Sequence, residues 1–125
     1  MTQATWLAEP EEHDYPAAAA YLTLLFEPGR VAAAVAALRA APVITAKAKD
    51  LLRASRLPAL GDDNHHVRHD LKRIEEGVAL SPLLLVRGNA AADAPLIIAD
   101  GYHRMCAAYQ ADEDLDVPCK LVTAS

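Results

Sequence analysis

The chain has 125 residues, a formal net charge of −5, and 53% hydrophobic residues, with aromatics making up only 5% of the whole. A chain of this length forms one domain that buries roughly two-thirds of its unfolded surface, so neither disulfides nor a structural metal is needed to hold a core. The acidic balance and the lack of a basic block argue against nucleic acid as a partner, because broad binding of that kind needs a positive face to neutralise phosphates.

Residues 1–12 are acidic, contain Pro10 and show no periodicity, which predicts a loose lead-in. Asp14 is placed to cap a helix with Pro16 in its first turn. That helix is expected to reach about Phe26 and to bury Tyr21, Leu22, Leu25 and Phe26 before Pro28 and Gly29 break it. A second helix over about residues 30–40 carries Val31, Val35 and Leu38 at i, i+4 and i+7, and Pro42 stops it. The two form a helical hairpin, an N-terminal extension (residues 1–42) to a core of residues 43–125.

Val43, Ile44 and Thr45 are rich in β-branching and read as a short strand, with a helical turn or short helix over residues 47–55. Pro58 and Gly61-Asp62-Asp63 make a loop. Asn64 then caps a helix with Val67, Leu71 and Ile74 on one face and Gly77 at its end. Residues 83–86 and 96–99 are short apolar strands around a loop, which suggests an antiparallel pair. A helix follows Gly101 to about Ala111, and residues 112–116 read as a solvated acidic loop. Val117, Cys119 and Leu121 alternate in a last strand, where Pro118 favours the strand start or a sheet edge. The fold class is therefore α+β.

Cys106 and Cys119 form no Cys-x-x-Cys motif and read as reduced, buried thiols of a cytoplasmic protein. Glu9, Glu11, Glu12 and Asp14 replace the basic start of a secretory signal. The longest apolar run, residues 17–26, falls far short of the ~20 residues that cross a bilayer, so no membrane partner is expected.

The chemistry concentrates in Asp100-Gly101-Tyr102-His103-Arg104, where an apolar strand runs into a glycine and a helix begins. Open N–H groups and the helix dipole at such a junction favour anions. Gly101 permits a tight turn and close approach, and Arg104 offers a two-pronged grip on phosphate. Asp100 is either a general base or metal-water contact, or the N-cap of the helix. Three further clusters have bland readings. His65 and His69, at i and i+4, have metal spacing but no third ligand. Lys47, Lys49, Arg53 and Arg56 form a local basic cluster that ordinarily marks a solvated face, although one of them is a candidate phosphate contact. Glu9, Glu11, Glu12, His13 and Asp14 near the N-terminus read as disorder or helix capping, or as a source of a catalytic carboxylate if the segment folds over the cleft.

The segment from Ile74-Glu75-Glu76-Gly77 through Leu80-Ser81-Pro82-Leu83-Leu84-Leu85-Val86 to Asp100-Gly101-Tyr102-His103-Arg104 and Val117-Pro118 resembles the ParB N-terminal and sulfiredoxin-like superfamily. The likeness covers residues 64–122, about half the chain, and its Asp-Gly-x-His-Arg form is most similar to the free-serine kinase branch. It implies a small mixed sheet with helices and a nucleotide whose phosphates meet Gly101, Tyr102, His103 and Arg104, with ATP, ADP or CTP and Mg²⁺ as the expected ligands. Tyr102 stands where sulfiredoxins carry their cysteine, which argues against sulfinic acid reduction, and where partition proteins carry a glutamate. No helix-turn-helix region follows the last strand, so centromere-type DNA binding is not implied.

Together these readings predict a nucleotide- or phosphate-binding protein, acting as a small-molecule phosphotransferase or nucleotide hydrolase through Asp100 and His103. Its partner would be a nucleotide or phosphorylated small molecule. The competing expectation is a non-catalytic interaction module that forms a homodimer or binds another protein through the alanine-rich helices. A third reading, DNA binding or nuclease activity, is opposed by the net charge.

Overall fold

The computed structural model describes residues 3–124. Helix α1 (Asp14–Leu22) and helix α2 (Pro28–Ala40) precede strand β1 (Ile44–Lys47), helix α3 (Ala48–Ser55) and helix α4 (His65–Glu75). Strand β2 (Leu83–Val86), a 3-10 turn at Ala90–Ala92, strand β3 (Ile97–Asp100), helix α5 (Tyr102–Ala111) and strand β4 (Asp116–Val122) complete the fold. The strands form one mixed sheet in the order β1-β4-β2-β3. Strands β2 and β3 pair antiparallel, as do β1 and β4, while β2 and β4 run parallel.

Successive residues of a strand point to opposite faces, and both faces of this sheet are covered. Leu83, Leu85, Ile98, Val117 and Cys119 pack on the side of α3, α4 and α5. Leu84, Val86 and Ala99 pack on the side of α1 and α2. This double cover explains why β2 is uniformly apolar and wholly buried. Pro118 lies in an inner strand, but ahead of Cys119, where the pairing with β2 begins. Only β1 flanks it there, so the missing N–H is tolerated.

The N-terminal half departs from expectation. Helix α1 stops at Leu22 and buries Tyr15, Ala18 and Leu22, leaving Tyr21 and Leu25 exposed. Helix α2 begins at Pro28 instead of after it, since proline at the first turn loses no helical hydrogen bond. Nor is the lead-in loose. Trp6 bridges Leu80 in parallel, with Leu7 N donating to Leu80 O (2.8 Å) and Leu80 N to Thr5 O (2.9 Å). The indole packs against the α3–α5 core. Here a tertiary partner overrides an uninformative local sequence.

Lys120 is the other anchor of this half. It is 1% exposed on the α1/α2 face of β4. Its Nζ donates to Tyr15 Oη and Arg39 O (3.1 Å each) and pairs with Glu9 (3.1 Å), which satisfies all three ammonium protons.

Candidate functional site

The junction of β3 and α5 is shaped by Gly101, whose φ of +108° is closed to ordinary side chains. A Cβ there would come within 2.8 Å of Leu83 Cγ and 2.9 Å of Arg104 Nη2. The first helical hydrogen bond runs from Met105 N to Gly101 O (2.9 Å), and no side chain caps the helix start. The amides of Tyr102, His103 and Arg104 therefore lie in the turn that a helix leaves without internal acceptors. They border a polar cavity of about 190 Å³ lined by His66, His69, Asp70 and residues 100–104.

Asp100 does not cap the helix. Its Oδ2 accepts from Arg104 Nη2 at 2.9 Å, one turn along. Arg104 also donates from Nε to Ser81 O (2.9 Å) and from Nη2 to Pro82 O (3.4 Å). Both side chains are 17% exposed. This corrects the expectation of a free two-pronged phosphate grip, because the guanidinium is already committed to an internal carboxylate and two carbonyls. Burial raises the Asp100 pKa above the ordinary carboxylate value, while Arg104 pulls the other way.

The pair is buttressed from the N-terminal half, which the sequence did not reveal. Asp14 lies inside α1 rather than at its cap, and is 3% exposed. Ser81 Oγ donates to Asp14 Oδ2, and Glu11 N reaches both Asp14 Oδ2 and Ser81 Oγ (3.1 Å each). A polar chain thus runs from Asp14 through Ser81 to Arg104 and Asp100.

The histidines regroup as well. His103 faces His66, with ring centroids 4.7 Å apart, and His66 stacks on His65 at 3.9 Å. His66 is the histidine of α4 whose ring meets His103, while His69 lines the same cavity. Burial lowers the His103 pKa below its ordinary value, His66 adds to the effect, and Asp70 opposes it. Asp70 is a residue that sequence reasoning missed. Its signal was available, since it sits between Val67 and Ile74 on the buried stripe of α4, where a carboxylate is out of place. Among the described residues, no group of three histidine, cysteine or acidic side chains is placed to hold a metal ion.

Tyr102 leaves the cavity open. Its hydroxyl donates to Pro58 O at 2.6 Å, which anchors the ring against the loop before α4. Both cysteines are free and buried, and burial pushes the Cys119 thiol up to about 11. The basic cluster of residues 47–56 divides. Lys47 pairs with Asp116 (3.0 Å) and Lys49 with Asp114 (2.6 Å) at the surface, and the exposed acidic loop is tied to α3 by Ala48 N donating to Leu115 O and Lys49 N to Glu113 O (2.9 Å each). Arg53 and Arg56 turn elsewhere, to Asp50 and Asp93.

No family model, curated protein or solved structure matches the chain. No helix among the described residues is long and apolar enough to cross a membrane.

Proposed function

We propose that the chain binds a phosphorylated small molecule, or the phosphoryl end of a nucleotide, at the start of α5. The observation that carries this reading is the uncapped helix start opening on a polar cavity beside His103 and His66. Tyr102, His103 and Arg104 would contribute main-chain amides, and His103 a ring N–H. At about 190 Å³ the cavity is smaller than the roughly 300–1,000 Å³ of ordinary ligand sites. It suits a phosphoryl group with a small appendage, and the base of ATP, ADP or CTP would lie outside it. The likeness of Asp100-Gly101-Tyr102-His103-Arg104 to the ParB and sulfiredoxin-like motif supports the same ligand class.

Phosphoryl transfer depends chiefly on positioning and charge stabilisation. In a phosphotransferase or hydrolase of this design, His103 is the donor to a phosphate oxygen or the proton carrier. Asp100 holds Arg104 and, through it, the Ser81–Pro82 carbonyls. Asp70 is the cavity-lining carboxylate that, with the phosphate itself, would receive Mg²⁺, which would neutralise phosphate charge when bound. Calorimetry with inorganic phosphate, ATP, ADP and CTP, with and without Mg²⁺, tests the reading. Saturable heat that disappears in His103→Phe is expected, and silence from every ligand at millimolar concentration rejects it.

A second reading, an interaction module or homodimer, draws on one observation. Tyr21, Leu24 and Leu25 at the end of α1 are 44%, 79% and 49% exposed. Light scattering that shows a monomer at all concentrations would count against self-association.

A further inference from the structure

A second cavity lies at the opposite end of β3, beside Leu96, and takes no part in the phosphate reading. Its volume is about 490 Å³, within the roughly 300–1,000 Å³ of small-molecule sites. Leu85, Cys119 and Leu121 form an apolar floor, with Ile44 and Leu96 at the sides. The Cys119 thiol is protonated at neutral pH, so the floor carries no charge.

The mouth has the opposite character. Arg53, Arg56 and Arg87 line it beside Asp50, with Asp93 paired to Arg56, in a chain whose net charge is −5. The Arg53–Asp50 pair (3.3 Å) is solvent-exposed, and exposed pairs hold their partners weakly. Arg87 is exposed and donates only Nε, to Thr123 Oγ1 at 3.2 Å. The rim carries one exposed ion pair and one backbone tie. Arg56 and Asp93 are the two non-glycine residues with positive φ among those described (59° and 57°), and they are bonded to each other twice, at 2.7 and 3.4 Å. Leu96 N donates to Ala54 O (3.0 Å), tying α3 to the loop before β3.

We propose that this cavity binds a medium-chain carboxylate, with its aliphatic body on Leu85 and Leu121 and its carboxylate among the guanidinium groups of Arg53 and Arg87. An apolar floor alone would accept any oily molecule. Arg53 and Arg87 at the mouth select one with an anionic head, because an arginine–carboxylate contact is charge-assisted.

The test uses the full chain with decanoate as probe and decanol as its uncharged counterpart, followed by calorimetry and methyl NMR. Decanoate is expected to bind at one site and to shift the methyls of Leu85, Leu96 and Leu121, with decanol weaker by about tenfold. Arg53→Gln with Arg87→Gln should weaken decanoate by a similar factor at unchanged melting temperature. Ala54→Phe, at an exposed wall position, should abolish binding by filling the space. No decanoate binding, equal binding of decanol, indifference to the arginine variants, or methyl shifts confined to other parts of the chain would each overturn the proposal. None of these outcomes depends on whether phosphate binds at α5.

Discussion

Replacing Gly101 with alanine tests how tightly the β3–α5 junction is built. Two costs add. A φ of +108° lies where an L-residue loses roughly 1–2 kcal/mol. The new methyl would also sit 2.8 Å from Leu83 Cγ, 2.9 Å from Arg104 Nη2 and 3.2 Å from Arg104 Cζ. Leu83 is fully buried and Arg104 is held by Asp100 and two carbonyls, so neither gives way freely. Overpacking of this kind costs about 1–3 kcal/mol. The total is about 2–5 kcal/mol, against a typical domain stability of about 5–15 kcal/mol. Gly77→Ala is the matched control, because Gly77 also has positive φ (+72°) but nothing lies within 4 Å of an added Cβ. It should lose only the conformational part, roughly 1–2 kcal/mol. Urea denaturation of the wild type and both variants, analysed with a common slope, measures the difference. A Gly101→Ala loss no larger than that of Gly77→Ala would refute the close packing of Leu83 and Arg104 around this turn.

Phosphate affinity should rise as pH falls from 8 towards 5.5. His103 titrates below its ordinary value in the free protein and would be drawn towards protonation by a bound anion, so binding takes up a proton. Titration calorimetry in buffers of different ionisation heat should detect that uptake, and His103→Phe should flatten the profile; a pH-independent affinity in the wild type would exclude His103 from the site. In the absence of ligand, the same lowered pKa works against folding in acid. Stability should fall as pH drops from the unfolded histidine value of about 6.5 towards the lower folded value. The wild type should show this loss and His103→Phe should not. Asp14→Ala should cost about 1–3 kcal/mol by leaving Ser81 Oγ without its acceptor and removing one of the two acceptors of Glu11 N, with Asp14→Asn recovering part of it. Equal stability of Asp14→Ala and wild type would show that the polar chain behind Arg104 is not structural.

Much of the fold was legible because its signals are local. Asn64 accepts from His66 N and Val67 N as its position before an apolar stripe predicts. The apolar runs of β2 and β3 and the turn residues between them specify an antiparallel pair. The N-terminal half was less legible because its order comes from partners distant in sequence. Trp6 meets Leu80, Asp14 meets Ser81, and Lys120 meets Glu9 and Tyr15. At the site, the glycine turn follows from the strand–glycine–helix pattern, whereas the uncapped helix start does not, because Asp100, a candidate cap, turns to Arg104 instead. The fate of Arg104 does not, because two carbonyls at Ser81 and Pro82 compete for it and leave no trace in a one-dimensional pattern. Asp70 could have been found, since a carboxylate on a buried helical stripe calls for a partner or a cavity.

The central claim is most directly tested by titrating the ¹⁵N-labelled chain with inorganic phosphate and following its amide resonances. The account predicts saturable shifts centred on the amides of Tyr102, His103 and Arg104, with the His66 and His103 ring signals moving in parallel. Amides at the start of α5 that stay still while phosphate reaches tens of millimolar (a concentration well above an ordinary millimolar Kd, which corresponds to roughly −4 kcal/mol) would contradict it.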